Sequence, residues 1–229
     1  MSRRLRVVMP NVPLHVIQRG NDRVACFYSE NDYLFYLESL TELACKYGCK
    51  VHAFCLMTNH VYLLLSPGCI AGAGLLMKGL GQRYVLYVNR TYRRTGTLWE
   101  GRFRSCLVQE DGYVLACYRY IELNPVRAKM VEHPAEYRWS SYRVNAQNES
   151  SALITPHANY YSLGGSVRAR SENYLELFKM DFASELIDQI RASTNGNYVL
   201  GGSKFASDIG LALGRRVTCG VAGRPQKQT

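Results

Sequence analysis

Two short segments of this sequence hold side chains that could cut a phosphodiester. In Arg119-Tyr120-Ile121-Glu122-Leu123-Asn124-Pro125-Val126-Arg127, a tyrosine is followed four residues on by an amide. On a helix those two side chains stack one turn apart. In Leu56-Met57-Thr58-Asn59-His60-Val61-Tyr62-Leu63-Leu64-Leu65, a histidine is followed two residues on by a tyrosine. On a strand that pair points to one face. If the helix packs across that face of a sheet, His60, Tyr62, Tyr120 and Asn124 converge. Such a group could hold a divalent cation, Mg or Mn, against a phosphate while the Tyr120 oxygen attacks phosphorus. That is covalent catalysis with metal assistance. Each residue also has a plainer reading. His60 alone fits a hydrogen-bonded strand histidine. Tyr120 is one of seventeen tyrosines. Asn124 before Pro125 fits a turn or a cap.

The elements that must position these groups are readable in outline. Residues 14–18 form a strand-like run closed by Arg19-Gly20-Asn21-Asp22. Asn31 as a cap predicts a helix over 32–47, with Leu34, Leu37, Leu40, Leu43 and Ala44 at helical spacing and Gly48 at its end. Two strands over 50–57 and 61–65 follow, joined at Thr58-Asn59. Residues 69–94 read as a helix in spite of glycines at 72, 74, 79 and 81. A strand over 102–109 precedes a helix from Asp111 that ends or kinks near Asn124, because a residue before proline avoids helix. This order predicts an α+β fold, a ferredoxin-like sandwich: an antiparallel sheet with helices on one face. Residues 146–172, rich in Ser, Asn and Gly, read as a linker or irregular segment. A C-terminal helical extension, with helices over 174–190 and 203–213, completes the division into 1–145, 146–172 and 173–229. His52 is expected to face the same way as Phe54, with no role assigned.

Composition narrows the partners. The 229 residues carry a net charge of +10, and that balance fits a polyanion, most simply nucleic acid. Lys78, Arg83, Arg90, Arg93, Arg94, Arg102 and Arg104 interleave with Tyr84, Tyr87, Tyr92, Trp99 and Phe103, with Glu100 the one acid between residues 78 and 104. Phosphate contacts plus stacking of unpaired bases is the physics of single-strand binding. The plainer reading is a solvated basic helix face with its aromatics in the core. Arg215, Arg216 and Arg224 follow the last helix beside Gly220, Gly223 and Pro225, which predicts a flexible basic arm on DNA. Eight cysteines without a C-x-x-C pair, and no cleavable signal pattern, predict a reducing, cytoplasmic setting. No apolar run approaches the ~20 residues that span a bilayer.

Taken together, these segments resemble HUH endonucleases of the single-tyrosine transposase kind, and within them the REP-associated tyrosine transposases. The resemblance is carried by Leu14-His15-Val16-Ile17-Gln18-Arg19-Gly20-Asn21 and by Val51-His52-Ala53-Phe54-Cys55-Leu56-Met57-Thr58-Asn59-His60. It continues in Gly101-Arg102-Phe103-Arg104, in residues 119–128 and in Trp139-Ser140-Ser141-Tyr142-Arg143. It covers most of residues 5–145; Leu213-Gly214-Arg215-Arg216 and Gly223-Arg224-Pro225 are similar to tails of such proteins.

It implies an enzyme that binds hairpin-bearing single-stranded DNA at repetitive extragenic palindromes and cleaves beside the hairpin. Tyr120 would join the 5′-phosphate and release a 3′-hydroxyl. His60 and Asn124 would be metal ligands, and Tyr62 stands where the second histidine belongs. A neutral phenol is a poor ligand for Mg²⁺ or Mn²⁺. The DNA contacts expected are Arg19, Arg83, Arg90, Arg93, Arg94, Arg102, Arg104, Arg119, Arg127, Arg215, Arg216 and Arg224. A hairpin-binding protein of the same descent that does not cleave, or an RNA-hairpin binder, are the rival readings. Monomer or homodimer, and cleavage within or between subunits, stay open.

Overall fold

The computed structural model describes residues 5–219. The chain runs β1 (Leu14–Arg19), α1 (Glu30–Lys46), β2 (Cys49–Met57), β3 (His60–Pro67), α2 (Gly72–Thr91), β4 (Arg104–Val108), α3 (Glu110–Glu122) and α4 (Asn124–Arg127). It continues α5 (Tyr142–Gln147), α6 (Ala158–Tyr161), α7 (Val167–Lys179), α8 (Ser184–Gly196), β5 (Val199–Leu200) and α9 (Ser203–Leu213). One sheet has the order β2-β3-β1-β4-β5. Its first four strands pair antiparallel, and β5 adds in parallel beside β4. Among the described residues, no helix is long and apolar enough to cross a membrane.

The α+β class and the helix-strand order follow the sequence. The sheet, however, is covered on both faces. Period-2 alternation sends Val61, Leu63 and Leu65 of β3 into a core with α1 and α2, and Tyr62 and Leu64 into a second core with α3 and the later helices. The second core exists because β2 and β3 carry apolar side chains on both sides, as strands buried on both faces do.

Local chemistry explains the boundaries. α1 starts two residues earlier than Asn31 suggests, because Ser29 is its cap and Asp32 closes a capping box. Asp32 also accepts the hydroxyls of Tyr87 (3.0 Å) and Tyr92 (2.9 Å), which ties α2 to the start of α1. Gly20 ends β1 where a Cβ would stand 2.5 Å from the Val24 carbonyl oxygen and 2.6 Å from Cys26 Sγ. β2 carries a bulge at His52, so Val51 pairs with Leu65 and Ala53 already pairs with Leu64. The bulge turns His52 to the opposite face from Phe54, where it meets Thr155 O (2.7 Å) and Ser66 Oγ (2.8 Å). It also sets the register that puts His60 opposite Met57 and Tyr62 opposite Cys55. α3 is broken in its first turn at Gly112 (φ +77°) and regular from there to Glu122. Pro125 then starts the short α4 rather than ending helix altogether.

The C-terminal half departs further from expectation. Residues 146–172 are irregular in part but anchored: Thr155 N donates to Val51 O (2.7 Å), and His157 and Tyr160 are buried. The helix expected over 174–190 is two helices, broken at residues 180–183. α8 packs on β4 and β5 joins the sheet, so residues 173–219 complete the same fold. The arm is also less free than predicted. Arg215 donates to Leu5 O (2.9 Å) and Arg6 O (2.6 Å), and Val217 O accepts from Val199 N. Arg224 lies outside the described residues.

One buried carboxyl joins the halves. Glu122, fully buried, accepts from Ser141 Oγ (2.6 Å), Asn145 Nδ2 (2.7 Å) and Tyr174 Oη (2.7 Å). Burial raises its pKa to about 7, while these three hydrogen bonds pull it down. In the unfolded chain it titrates near 4.3. The folded state therefore holds the extra proton between those values, and its stability falls as pH rises through that window. Glu122→Gln, which keeps the shape, should lose this dependence. Urea melts of both proteins should show the variant gaining on wild type by about 1–3 kcal/mol between pH 5 and pH 8.

Candidate active site

The convergence predicted from spacing is realised. His60 and Tyr62 project from β3 toward α3, where Tyr120 and Asn124 face them. All four line a cavity of about 290 Å³ with His15, Ile17 and Arg19 of β1, Arg127, and Arg191, Thr194 and Asn195 of α8. Tyr120 is 4% exposed and Asn124 7%. The Tyr62 and Tyr120 rings meet edge-on at 6.0 Å between centroids, and the His15 ring is edge-on to Tyr120 at 5.4 Å.

Arg127 organises the tyrosine. Its guanidinium lies 4.3 Å from the centroid of the Tyr120 ring. Its Nη2 donates to Tyr120 O (2.5 Å) and to Asn124 Oδ1 (2.8 Å). Asn124 Nδ2 donates back to the Tyr120 and Ile121 carbonyls (3.1 and 3.2 Å). The Arg127 Nη1 atom is buried without a partner among the described residues. Arg191 approaches the Tyr120 side chain from α8, and that neighbourhood raises the pKa of the guanidinium. It also pairs with Asp188 at 3.4 Å.

His60 is held at both ring nitrogens. Asn59 Nδ2 donates to Arg23 O (3.1 Å), which turns Asn59 Oδ1 toward His60 Nδ1 (2.5 Å). An amide oxygen only accepts, so Nδ1 carries the proton and Nε2 the lone pair. That lone pair accepts the Tyr62 hydroxyl at 2.9 Å. Burial lowers the His60 pKa to about 4, with the Arg19 charge adding to it. Burial raises that of Tyr62, and the neighbouring Tyr120 pushes it the same way. His15 is a fully buried imidazole, 1% exposed. Its Nδ1 meets Thr194 Oγ1 at 2.8 Å, and its Nε2 has no partner among the described residues.

These donors do not fit a hard divalent cation. Such ions take oxygen ligands, carboxylates above all. The cavity holds no Asp or Glu and three arginines. The His60 lone pair is occupied by the Tyr62 hydroxyl, and Asn124 Oδ1 by Arg127. Tyr62 would have to ionise against its burial to serve as a ligand. Among the described residues of the cavity, His15 Nε2 is a ring nitrogen without a partner, and one nitrogen is not a ligand set. Among the described residues no group of three or more His, Cys, Asp or Glu is placed to hold a metal.

The expected DNA contacts divide. Arg19, Arg102 and Arg104, with Arg6, line a second cavity of about 460 Å³ that shares Ile17, Arg19 and Asn195 with the first. Together the two make a basic trough leading to Tyr120. Other arginines are engaged in the structure: Arg83 with Glu42 (2.6 Å), Arg94 with Tyr28 Oη (3.0 Å), Arg119 with Met180 O (2.5 Å) and Arg215 with Leu5 and Arg6. Arg90, Arg93 and Arg216 are exposed and line neither cavity. The aromatics expected to stack bases do not offer themselves. Tyr84, Trp99 and Phe103 are core, and Tyr87 and Tyr92 serve Asp32. The sequence reading missed His15, Arg6, Arg191 and Asn195. His15 was within reach, since it alternates with Ile17 and Arg19 on β1. Arg191 and Asn195, one turn apart on α8, join only when that helix docks on β4.

The site is thus a single tyrosine on a helix laid across an α+β sheet, at the end of a basic trough. A sequence profile of IS200-like transposases matches residues 8–124, and the chain belongs to that family. Its fold is shared with a REP-associated tyrosine transposase solved bound to a REP hairpin, at 13% identity and TM-score 0.52, covering 73% of this chain and 99% of that one. A putative transposase from Deinococcus radiodurans gives 17% identity, coverage of 59% and 98%, and TM-score 0.37. The tRNA(His) guanylyltransferase of Saccharomyces cerevisiae gives 12%, 80% and 86%, and 0.40. No curated protein matches by sequence. The family is metal-dependent in general, which makes the donor set of this chain a departure.

The half-buried imidazole of His60 sets a pH dependence of known sign. Its folded pKa lies below the ordinary value near 6.5. Its contribution to stability is complete above that value and declines as pH falls toward about 4. Between pH 7 and pH 5, wild type should lose about 1–2 kcal/mol more stability than His60→Asn, measured as urea midpoints.

Proposed function

We propose that this chain binds hairpin-bearing single-stranded DNA, of the repetitive extragenic palindrome type, and cuts it through a 5′-phosphotyrosine intermediate at Tyr120. The observation that carries this reading is that the Tyr120 cavity adjoins, through Ile17, Arg19 and Asn195, a trough lined by Arg6, Arg19, Arg102 and Arg104. A trough of guanidiniums tracks a flexible phosphate backbone by charge. The shared fold with a hairpin-bound transposase supports the choice of a hairpin substrate.

The chemistry follows from the groups at hand. The Tyr120 oxygen attacks phosphorus, the Tyr120 Oη–P bond forms, and the bond from phosphorus to the 3′-oxygen breaks. The tyrosine loses its proton and the departing 3′-oxygen gains one, so charge balances. Attack by a 3′-hydroxyl on the phosphotyrosine reverses these steps and transfers the strand. Arg127 holds the ring and the Asn124 turn, and Arg191 holds the phenol end. Fixing the attacking atom beside a bound phosphate accounts for much of the acceleration in such reactions.

Tyr120→Phe should keep hairpin binding and lose every denaturation-resistant protein–DNA adduct, read on denaturing gels with end-labelled oligonucleotide. Adduct persisting in that variant removes Tyr120 from the role. Arg102→Ala and Arg104→Ala should each weaken binding across sequences and reduce the salt slope by about 1. Arg83→Ala, on a helix away from the trough, should leave both unchanged.

A further inference from the structure

The cavity around Tyr120 is strongly cationic. Three guanidiniums, from Arg19, Arg127 and Arg191, line it without a carboxylate. We propose that the phosphodiester attacked by Tyr120 is held by Arg127 and Arg191 in place of a divalent cation, so that this chain cleaves without metal. The proposal rests on the cleavage reading above.

Phosphoryl transfer spreads charge over the non-bridging oxygens of phosphorus, and catalysis consists of placing positive groups there. A guanidinium supplies one such positive charge and adds a planar fork of donors, so two of them can stand where a divalent cation would. Arg127 has a spare donor: Nη1 is buried and unpartnered, while Nη2 is spent on Tyr120 O and Asn124 Oδ1. Arg191 stands at the phenol end of Tyr120 on a side chain still half exposed, free to meet a phosphate entering from the trough. Its pairing with Asp188 is long at 3.4 Å and lies at the surface, so a phosphate can displace it at little cost.

The ligand positions have meanwhile been reassigned. Tyr62 donates to the His60 lone pair and converts that histidine from a ligand into an acceptor within the wall. Arg127 takes the Asn124 oxygen, and a divalent ion placed on that oxygen would sit against the guanidinium that already bonds it. Both engagements act in one direction, leaving fixed cations where a bound one would stand. The tyrosine at position 62 then follows from the charge of its surroundings: it caps His60 without adding a donor that a cation could use.

The test uses the full chain in metal-stripped buffer. Wild type should form the covalent adduct with a hairpin oligonucleotide in EDTA, and added Mg²⁺ or Mn²⁺ should change the yield less than about threefold. Arg191→Gln should reduce adduct by about 10- to 100-fold with hairpin affinity retained, as expected for loss of a charge-assisted contact made in the transition state. Adduct that forms only with Mg²⁺ or Mn²⁺ overturns the proposal. Two titrations without DNA decide the site independently of cleavage. Inorganic phosphate, followed calorimetrically, should bind wild type and bind Arg191→Gln about tenfold more weakly. Mn²⁺, followed by electron paramagnetic resonance, should show no site tighter than about 1 mM. A stoichiometric Mn²⁺ site abolished by His60→Ala, or phosphate affinity indifferent to Arg191, overturns it as well. If no condition yields adduct, the cleavage reading fails, and metal-free cleavage falls with it. The titrations then report only whether the cavity is a guanidinium anion site.

Discussion

A carboxyl group placed fully inside a protein requires donors, and in this chain the requirement falls on Glu122. Its three partners come from Ser141, Asn145 and Tyr174, on segments far from α3 in sequence. Removing the Tyr174 hydroxyl would leave Glu122 Oε2 unsatisfied, at about 1–3 kcal/mol. Glu122 therefore fixes where α5 and α7 sit against α3, and the break after α7 then places α8 on β4. Through that sequence of contacts a residue two positions from Tyr120 governs which side chains of α8 face it. Arg191 and Asn195 reach the cavity because of it.

The same face of the sheet shows how one substitution alters the use of a site while its frame is retained. The strand-helix crossing, the stacked Tyr120 and Asn124, and the paired side chains of β3 are as the family pattern implies. What differs is position 62, and with it the occupancy of the His60 lone pair. A phenol at position 62 is a donor where an imidazole would be a ligand, and Arg127 is a donor to the amide oxygen. A cavity with these donors attracts anions, and the neighbouring trough extends the same sign of charge along the surface.

The basic residues illustrate why charge counts alone overstate an interface. Of the arginines grouped between residues 78 and 104, only Arg102 and Arg104 line the trough. Arg83 and Arg94 are engaged by Glu42 and Tyr28 on the opposite layer. The aromatics among them bury their rings and direct hydroxyls inward, to Cys26 O from Tyr84 and to Asp32 from Tyr87 and Tyr92. A buried carboxylate at Asp32 needs those hydroxyls more than a nucleic acid base would.

What the sequence determined by itself is local and periodic. Alternation along β3 places His60 and Tyr62 together, one helical turn places Tyr120 over Asn124, and the glycine and proline boundaries divide most of the elements. These depend on spacings of two to four residues, which backbone geometry dictates. The tertiary structure decided what those residues then meet. The bulge at His52, the parallel β5, the split of α7 from α8 and the docking of Arg191 and His15 around Tyr120 depend on contacts between residues tens of positions apart. No periodicity records such contacts, since they arise from packing two apolar faces of one sheet and satisfying the polar groups buried between them.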